Sequence, residues 1–163
     1  LYLELKLIHI GAVVLFLGNI IIGLFWKLHA DRTRDPKIIA HTFEGIIRSD
    51  RWFTIPGVVL ITLAGVGVAM ASRTPLLSTG WLFWSILLFT ISGLIFMARL
   101  APLQKAILAF ARSSEAPAKF DWTIYRRLAR AWELWGLAAL LAPCAALALM
   151  VLKPELPGLQ LMR

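Results

Sequence analysis

Four apolar runs dominate the chain: Leu7–Trp26, Trp52–Ala71, Trp81–Met97 and Leu134–Leu152. A hydrocarbon core about 30 Å thick takes about 20 residues of helix at about 1.5 Å rise, and every run meets or approaches that length. In lipid a spanning segment must satisfy its backbone hydrogen bonds internally, which favours helix. The pattern predicts an all-α fold: one integral membrane domain over residues 1–163, built as a bundle of four antiparallel transmembrane helices. Composition agrees. Hydrophobic residues make up 60% of the chain, against about half in a soluble domain, and the excess belongs in lipid. The first run has neither a basic segment ahead of it nor an Ala-x-Ala-like cleavage site, so it is expected to remain as a span.

The net charge is +8, and its placement decides what it means. Of the 17 Lys and Arg residues, 13 fall in the first connection (Lys27, Arg32, Arg34, Lys37, Arg48, Arg51) and the third (Arg99, Lys105, Arg112, Lys119, Arg126, Arg127, Arg130). The other four are Lys6, Arg73, Lys153 and Arg163. Charge that flanks spans sets orientation and meets anionic lipid headgroups; no separate soluble face gathers it for a nucleic acid. The positive-inside rule places both long connections in the cytoplasm and both termini in the periplasm of a bacterial inner membrane. Trp26, Trp52, Trp81, Trp132 and Trp135 lie near run ends, where amphipathic rings favour the headgroup zone. Ser72–Gly80, with Pro75, reads as a tight external turn between the second and third spans.

Asp35-Pro36 is a helix start, an N-cap acid followed by proline at the first helical position. Apolar spacing behind it predicts a cytoplasmic amphipathic helix over Pro36–Ser49, lying on or leading into the membrane interface. Thr54-Ile55-Pro56-Gly57 reads as the opening of the second span. Ala101–Arg112 extends the third helix past the membrane, Ser113–Lys119 reads as a flexible loop, and Asp121 caps the fourth helix. Arg130 and Glu133 are spaced for an ion pair. Gly11 and Gly18 share a face of the first helix, and Gly65, Gly67, Ser92 and Gly93 offer close approach elsewhere. Asn19 is placed for a hydrogen bond between helices. The single cysteine, Cys144, excludes an internal disulfide and reads as a small buried apolar residue.

His9 is the sharpest candidate for chemistry. It sits about one turn inside the first span, where ionisable groups are costly and tend to be functional. Imidazole is a common ligand of haem iron. Two readings stand: a metal or haem ligand, and a neutral histidine hydrogen-bonded to a neighbouring helix. His29 lies 20 residues further on, about 30 Å along a helix, so neither it nor His41 can share an iron with His9. The soft ligands expected at the outer level of His9 are Met70 and Met150. A haem b would therefore be held by His9 with Met70, with Met150, or with no second side chain. His29 and His41, with Asp31 and Asp35 between them, fit no compact metal motif. No phosphate loop, no HExxH and no nucleophile–histidine set is present at one membrane level.

Leu5-Lys6-Leu7-Ile8-His9-Ile10-Gly11-Ala12, Ala30-Asp31-Arg32-Thr33, Asp35-Pro36-Lys37-Ile38-Ile39-Ala40, Arg48-Ser49-Asp50 and Phe53-Thr54-Ile55-Pro56 resemble a bacterial inner-membrane family classed as a domain of unknown function. That resemblance implies a four-helix membrane protein and no particular activity. A more distant one is to the four-helix bacterial protoporphyrinogen oxidases, which bind haem. Its carriers are Lys6 and His9, Arg48 ahead of Pro56-Gly57, Gly80-Trp81-Leu82, and Lys153-Pro154. It implies haem contact at His9. Where that family has a His and an essential Lys after Gly-Trp-Leu, this chain has Phe83 and Ser85, so the oxidase activity does not carry over. Three functions follow as expectations: a haem-binding or redox-associated membrane protein; an accessory subunit of a membrane complex, or a homo-oligomer; and, third, a transporter or channel. Membrane lipids are expected partners in each.

Overall fold

The computed structural model describes residues 1–113 and 120–159. They form α1 (Tyr2–Thr33), α2 (Pro36–Ser49), α3 (Ile55–Ala71), α4 (Gly80–Ile95), α5 (Ala101–Ser113) and α6 (Trp122–Leu152). α2 runs into α3 through a π turn at Asp50–Thr54, and α4 into α5 through another at Phe96–Leu100. The result is four continuous rods, each long and apolar enough to cross a membrane. One half of the bundle holds the start of α1, the end of α6 and the α3–α4 turn; the other, the basic half, holds α2, α5 and the adjoining ends of α1 and α6. The loop expected at Ser113–Lys119 lies outside the described residues except for Ser113, which ends α5.

Both expected caps form. The Asp35 carboxylate accepts from the Lys37 N–H at 2.8 Å, and that of Asp121 accepts from the Thr123 and Ile124 N–H groups at 2.8 and 3.2 Å. α3 opens at Ile55 with Pro56 in its first turn, as expected, but the chain ahead of it is helical too, so Pro56 also lies inside the rod that began at Pro36. Proline offers no N–H to the carbonyl four residues back and its ring crowds that carbonyl. The π turn just ahead, where the Ile55 N–H reaches the Asp50 carbonyl, shifts the ladder and absorbs the misfit. Pro102 follows the second π turn at the same spacing, and there the Ala101 N–H reaches the Phe96 carbonyl.

The basic half has a closed core of Ala30, Ile39, Phe43, Ile107, Tyr125 and Trp132 with their neighbours. α2 leads into the second span, as expected, and its apolar face is turned to protein: Ile39 and Phe43 are 0% exposed, because α5 and the end of α1 cover that face. Trp132 is also buried rather than interfacial, its ring edge-to-face with Phe43 at 5.6 Å. Lys27 is wholly buried and ion-paired with Asp31 at 2.7 Å and with Glu133. The Tyr125 hydroxyl donates to Asp31. Glu133 thus joins α6 to α1 instead of pairing with Arg130 as expected. A buried ammonium without water needs carboxylates on it, and that need fixes the choice.

The other half is two pairs, α1 with α3 and α4 with α6. In the second pair Ser85 and Ser92 donate to the carbonyls of Ala146 and Ala139 at 3.2 and 2.7 Å. In the first, Gly57 lets α3 close on Phe16, whose Cβ lies 3.4 Å from where a Gly57 Cβ would stand. Gly11 and Gly18 hold no close approach, contrary to expectation; a Cβ on either meets nothing within 4 Å. Cys144 is exposed, not buried, since it falls on the outward face of α6, where lipid suits a thiol as well as protein does.

Candidate functional site

The two pairs do not close on each other everywhere. Between them is a cavity of about 260 Å³. Its walls are mostly apolar, with Phe16, Phe89 and Phe96 among them, and Asn19, Asp50, Thr54 and Gln104 line it as a polar group. Each reaches it from a different place: Asn19 from mid-α1, Asp50 and Thr54 from the first π turn, and Gln104 from the first turns of α5. Both π turns contribute lining residues, as π bulges often do at functional sites.

Asp50 is the centre of this group, and it is 8% exposed. Its Oδ1 accepts from Asn19 Nδ2 at 3.1 Å and from the Thr54 hydroxyl at 2.7 Å. Its Oδ2 accepts from Gln104 Nε2 at 2.8 Å. Asn19 Nδ2 also donates to Thr54 Oγ1 at 2.9 Å. These bonds bear out the expected interhelical role of Asn19. They also explain how a carboxylate stays in this place: a buried acid is tolerated when donors surround it. No cation pairs with it among the described residues. An ionised carboxylate can accept about four hydrogen bonds, and three are in place. The Trp132 side chain also lines the cavity, and its buried Nε1–H has no acceptor.

His9 lies elsewhere, on α1 toward the termini. Its Nδ1 is 2.9 Å from the Ile61 carbonyl; a carbonyl only accepts, so Nδ1 carries the proton. The ring sits over Gly65, 3.0 Å from where a Cβ would be, and Gly65 makes the space for it. Met70 is exposed at the end of α3, and Met150 is half-buried near the end of α6. His29 stands edge-on to Trp26 at 5.8 Å, and both His29 and His41 are exposed. Among the described residues, no three His, Cys, Asp or Glu side chains gather as for a metal ion. Ser85 is wholly buried against α6.

The DUF2269 family, described as a predicted integral membrane protein, matches residues 3–154. The chain belongs to that family. No curated protein and no solved structure matches it, so the likeness to protoporphyrinogen oxidases has no support from these comparisons.

Of the polar group in this DUF2269 chain, sequence reasoning singled out only Asn19. Asp50 and Thr54 figure in the sequence only as parts of the family-like motifs, Thr54 also as part of the opening of the second span, and neither they nor Gln104 stand out there as site residues. A usable signal was present: a carboxylate two residues ahead of an apolar run, with a threonine one turn on, facing a span that carries its own asparagine. The π turn that aims Asp50 inward leaves no such mark.

Proposed function

We propose that the protein binds a small lipophilic molecule within the membrane, in the cavity between its two helix pairs, with the polar end of that molecule at Asp50. The observation that carries this reading is a buried carboxylate that pairs with no cation among the described residues, beside an open cavity. Ionisable groups at such positions in membrane proteins mark ligand or ion sites by default. The charge distribution supports a bacterial cytoplasmic membrane with the basic half inside and both termini outside. Benzyl alcohol tests the reading. It should raise the melting temperature of the detergent-purified wild type and leave Gly93→Phe unmoved, because Gly93 lines the cavity with free space beside it. An equal response from both proteins, or none from the wild type, overturns it.

A second reading rests on His9. With Nδ1 held by the Ile61 carbonyl, the lone pair is on Nε2, and a backbone carbonyl on the far nitrogen is how metal-bound histidines are usually fixed. His9 would then hold the iron of a haem b, with Met70 or Met150 as candidates for a second ligand. Protein purified from haem-replete cells should then show a Soret band that His9→Ala loses. A colourless wild type ends this reading and leaves the first untouched.

A further inference from the structure

We infer that the occupant of the cavity is a protonated lipophilic amine, with Asp50 as its counter-ion. The inference rests on the cavity reading above and adds the chemical class. The groups left for a ligand decide it. Asp50 Oδ2 accepts one hydrogen bond and has capacity for another. Asn19 and Gln104 use their amide nitrogens on Asp50, and their carbonyl oxygens have no donor among the described residues. Acceptors therefore face the space, among them a carboxyl group that no cation of the described residues pairs. Against them stand the unpaired Trp132 Nε1–H and the remaining hydrogen of the Gln104 amide. A ligand made of carbonyl oxygens, such as a quinone ring, would meet mainly acceptors there. An ammonium brings both the donors and the charge.

The walls suit the same class. Phe16 and Phe89 are edge-to-face at 5.6 Å, and with Phe96 and Trp132 they line the space with aromatic rings. Rings of this kind attract cations and bury an apolar body. At about 260 Å³ the cavity is at the small end for ligand sites, which favours a compact molecule. The cavity reaches the surface at Thr62 of α3 and Thr90 of α4, which line it and are exposed. Both hydroxyls are spent on their own helices, on the Val58 and Ile86 carbonyls at 2.8 Å each. That opening therefore presents no free donor, and it lies between two helices that make at most marginal contact. A membrane-dissolved amine can enter there from the lipid.

Benzylamine and benzyl alcohol share a ring and a size and differ in charge, so calorimetric titration of the full-length purified protein with each separates the claims. The wild type should bind the amine at least about tenfold more tightly, the worth of one hydrogen bond to a charged group. Asp50→Asn should erase that preference and still bind the alcohol. Gly93→Phe, which leaves the Asp50 hydrogen bonds intact, should lose both probes. Equal affinities for the two probes in the wild type overturn the amine inference and spare the cavity. Binding of neither probe by the wild type removes the cavity reading and this inference with it. Should Asp50→Asn not fold, the wild-type ratio and Gly93→Phe still decide: amine binding that survives Gly93→Phe is outside the cavity and overturns the inference.

Discussion

The same four rods are packed to different ends in the two halves of this molecule. In the basic half Ile39, Phe43 and Ile107 are 0% exposed and a wholly buried lysine ties α1 to α6. In the other half the rods form two pairs with a cavity between them. Apolar faces that meet water gain by leaving it, and the first arrangement is packed in that way. Lipid accounts for the second. Acyl chains are as apolar as leucine, so helices there join where specific contacts exist and need not close elsewhere. Space inside a bilayer is not squeezed out as it is in a soluble core, and a membrane protein can keep a ligand cavity without strain. The buried charges follow the same division. Lys27 is fully neutralised and structural, whereas Asp50 is hydrogen-bonded and has no cation paired to it among the described residues.

The largest test of this contrast is a matched pair of truncations. Phe43→Ala should cost about 4 kcal/mol, the usual cost of emptying a closed core. Phe89→Ala only widens an existing cavity and should cost about 1 kcal/mol, mostly the lost ring pair with Phe16. Unfolding in mixed detergent measures both, and equal losses would break the comparison. Next comes Lys27→Ala, which strands Asp31 and Glu133. These are 27% and 37% exposed, so water recovers part of the penalty and the loss should be about 3 kcal/mol, the low end for a broken buried pair. Glu133→Gln in the same protein should restore part of it, and no recovery would show that Lys27 acts through packing alone. Smaller again is Ser92→Ala, at about 0.6 kcal/mol, the mean worth of a hydrogen bond between membrane helices. A loss several times larger would mean that the α4–α6 seam depends on this one bond to Ala139.

Most of the architecture was legible in the sequence because bilayer thickness and helix rise leave little freedom. The four rods, the caps at Asp35 and Asp121, and the reach of Asn19 across to another helix all follow from local pattern. The pairing of charges does not. Arg130 and Glu133 satisfy a spacing rule, but Glu133 turns to Lys27 because burial of the ammonium outweighs a solvated helix pair. Trp132 has the position of an interfacial ring, yet the bundle encloses it. Cys144 shows the converse, an apolar residue left to lipid. The π turns were the hardest to foresee. Pro56 marks the start of α3, and only the continuous rod shows that a π turn precedes it and directs Asp50 to the cavity.

A pair of glycine substitutions sharpens the comparison most, because the sign of the effect is at stake. Gly93 lines the cavity, and a Cβ there meets nothing within 4 Å. Gly93→Ala should therefore gain helix propensity with no clash, raising stability by up to about 1 kcal/mol. Gly65, in the packed α1–α3 seam, reverses the sign. A Cβ there lies 3.0 Å from His9 Cε1 and 3.1 Å from Nδ1, so Gly65→Ala must displace the imidazole and loosen its bond to Ile61. The two glycines are substituted by the same methyl group on transmembrane helices, so propensity favours both alike and only the surrounding space differs. Melting temperatures in one detergent should rise for Gly93→Ala and fall for Gly65→Ala. A fall at both would mean that the space beside Gly93 is closed in solution, and the contrast between a filled half and an open one would not hold.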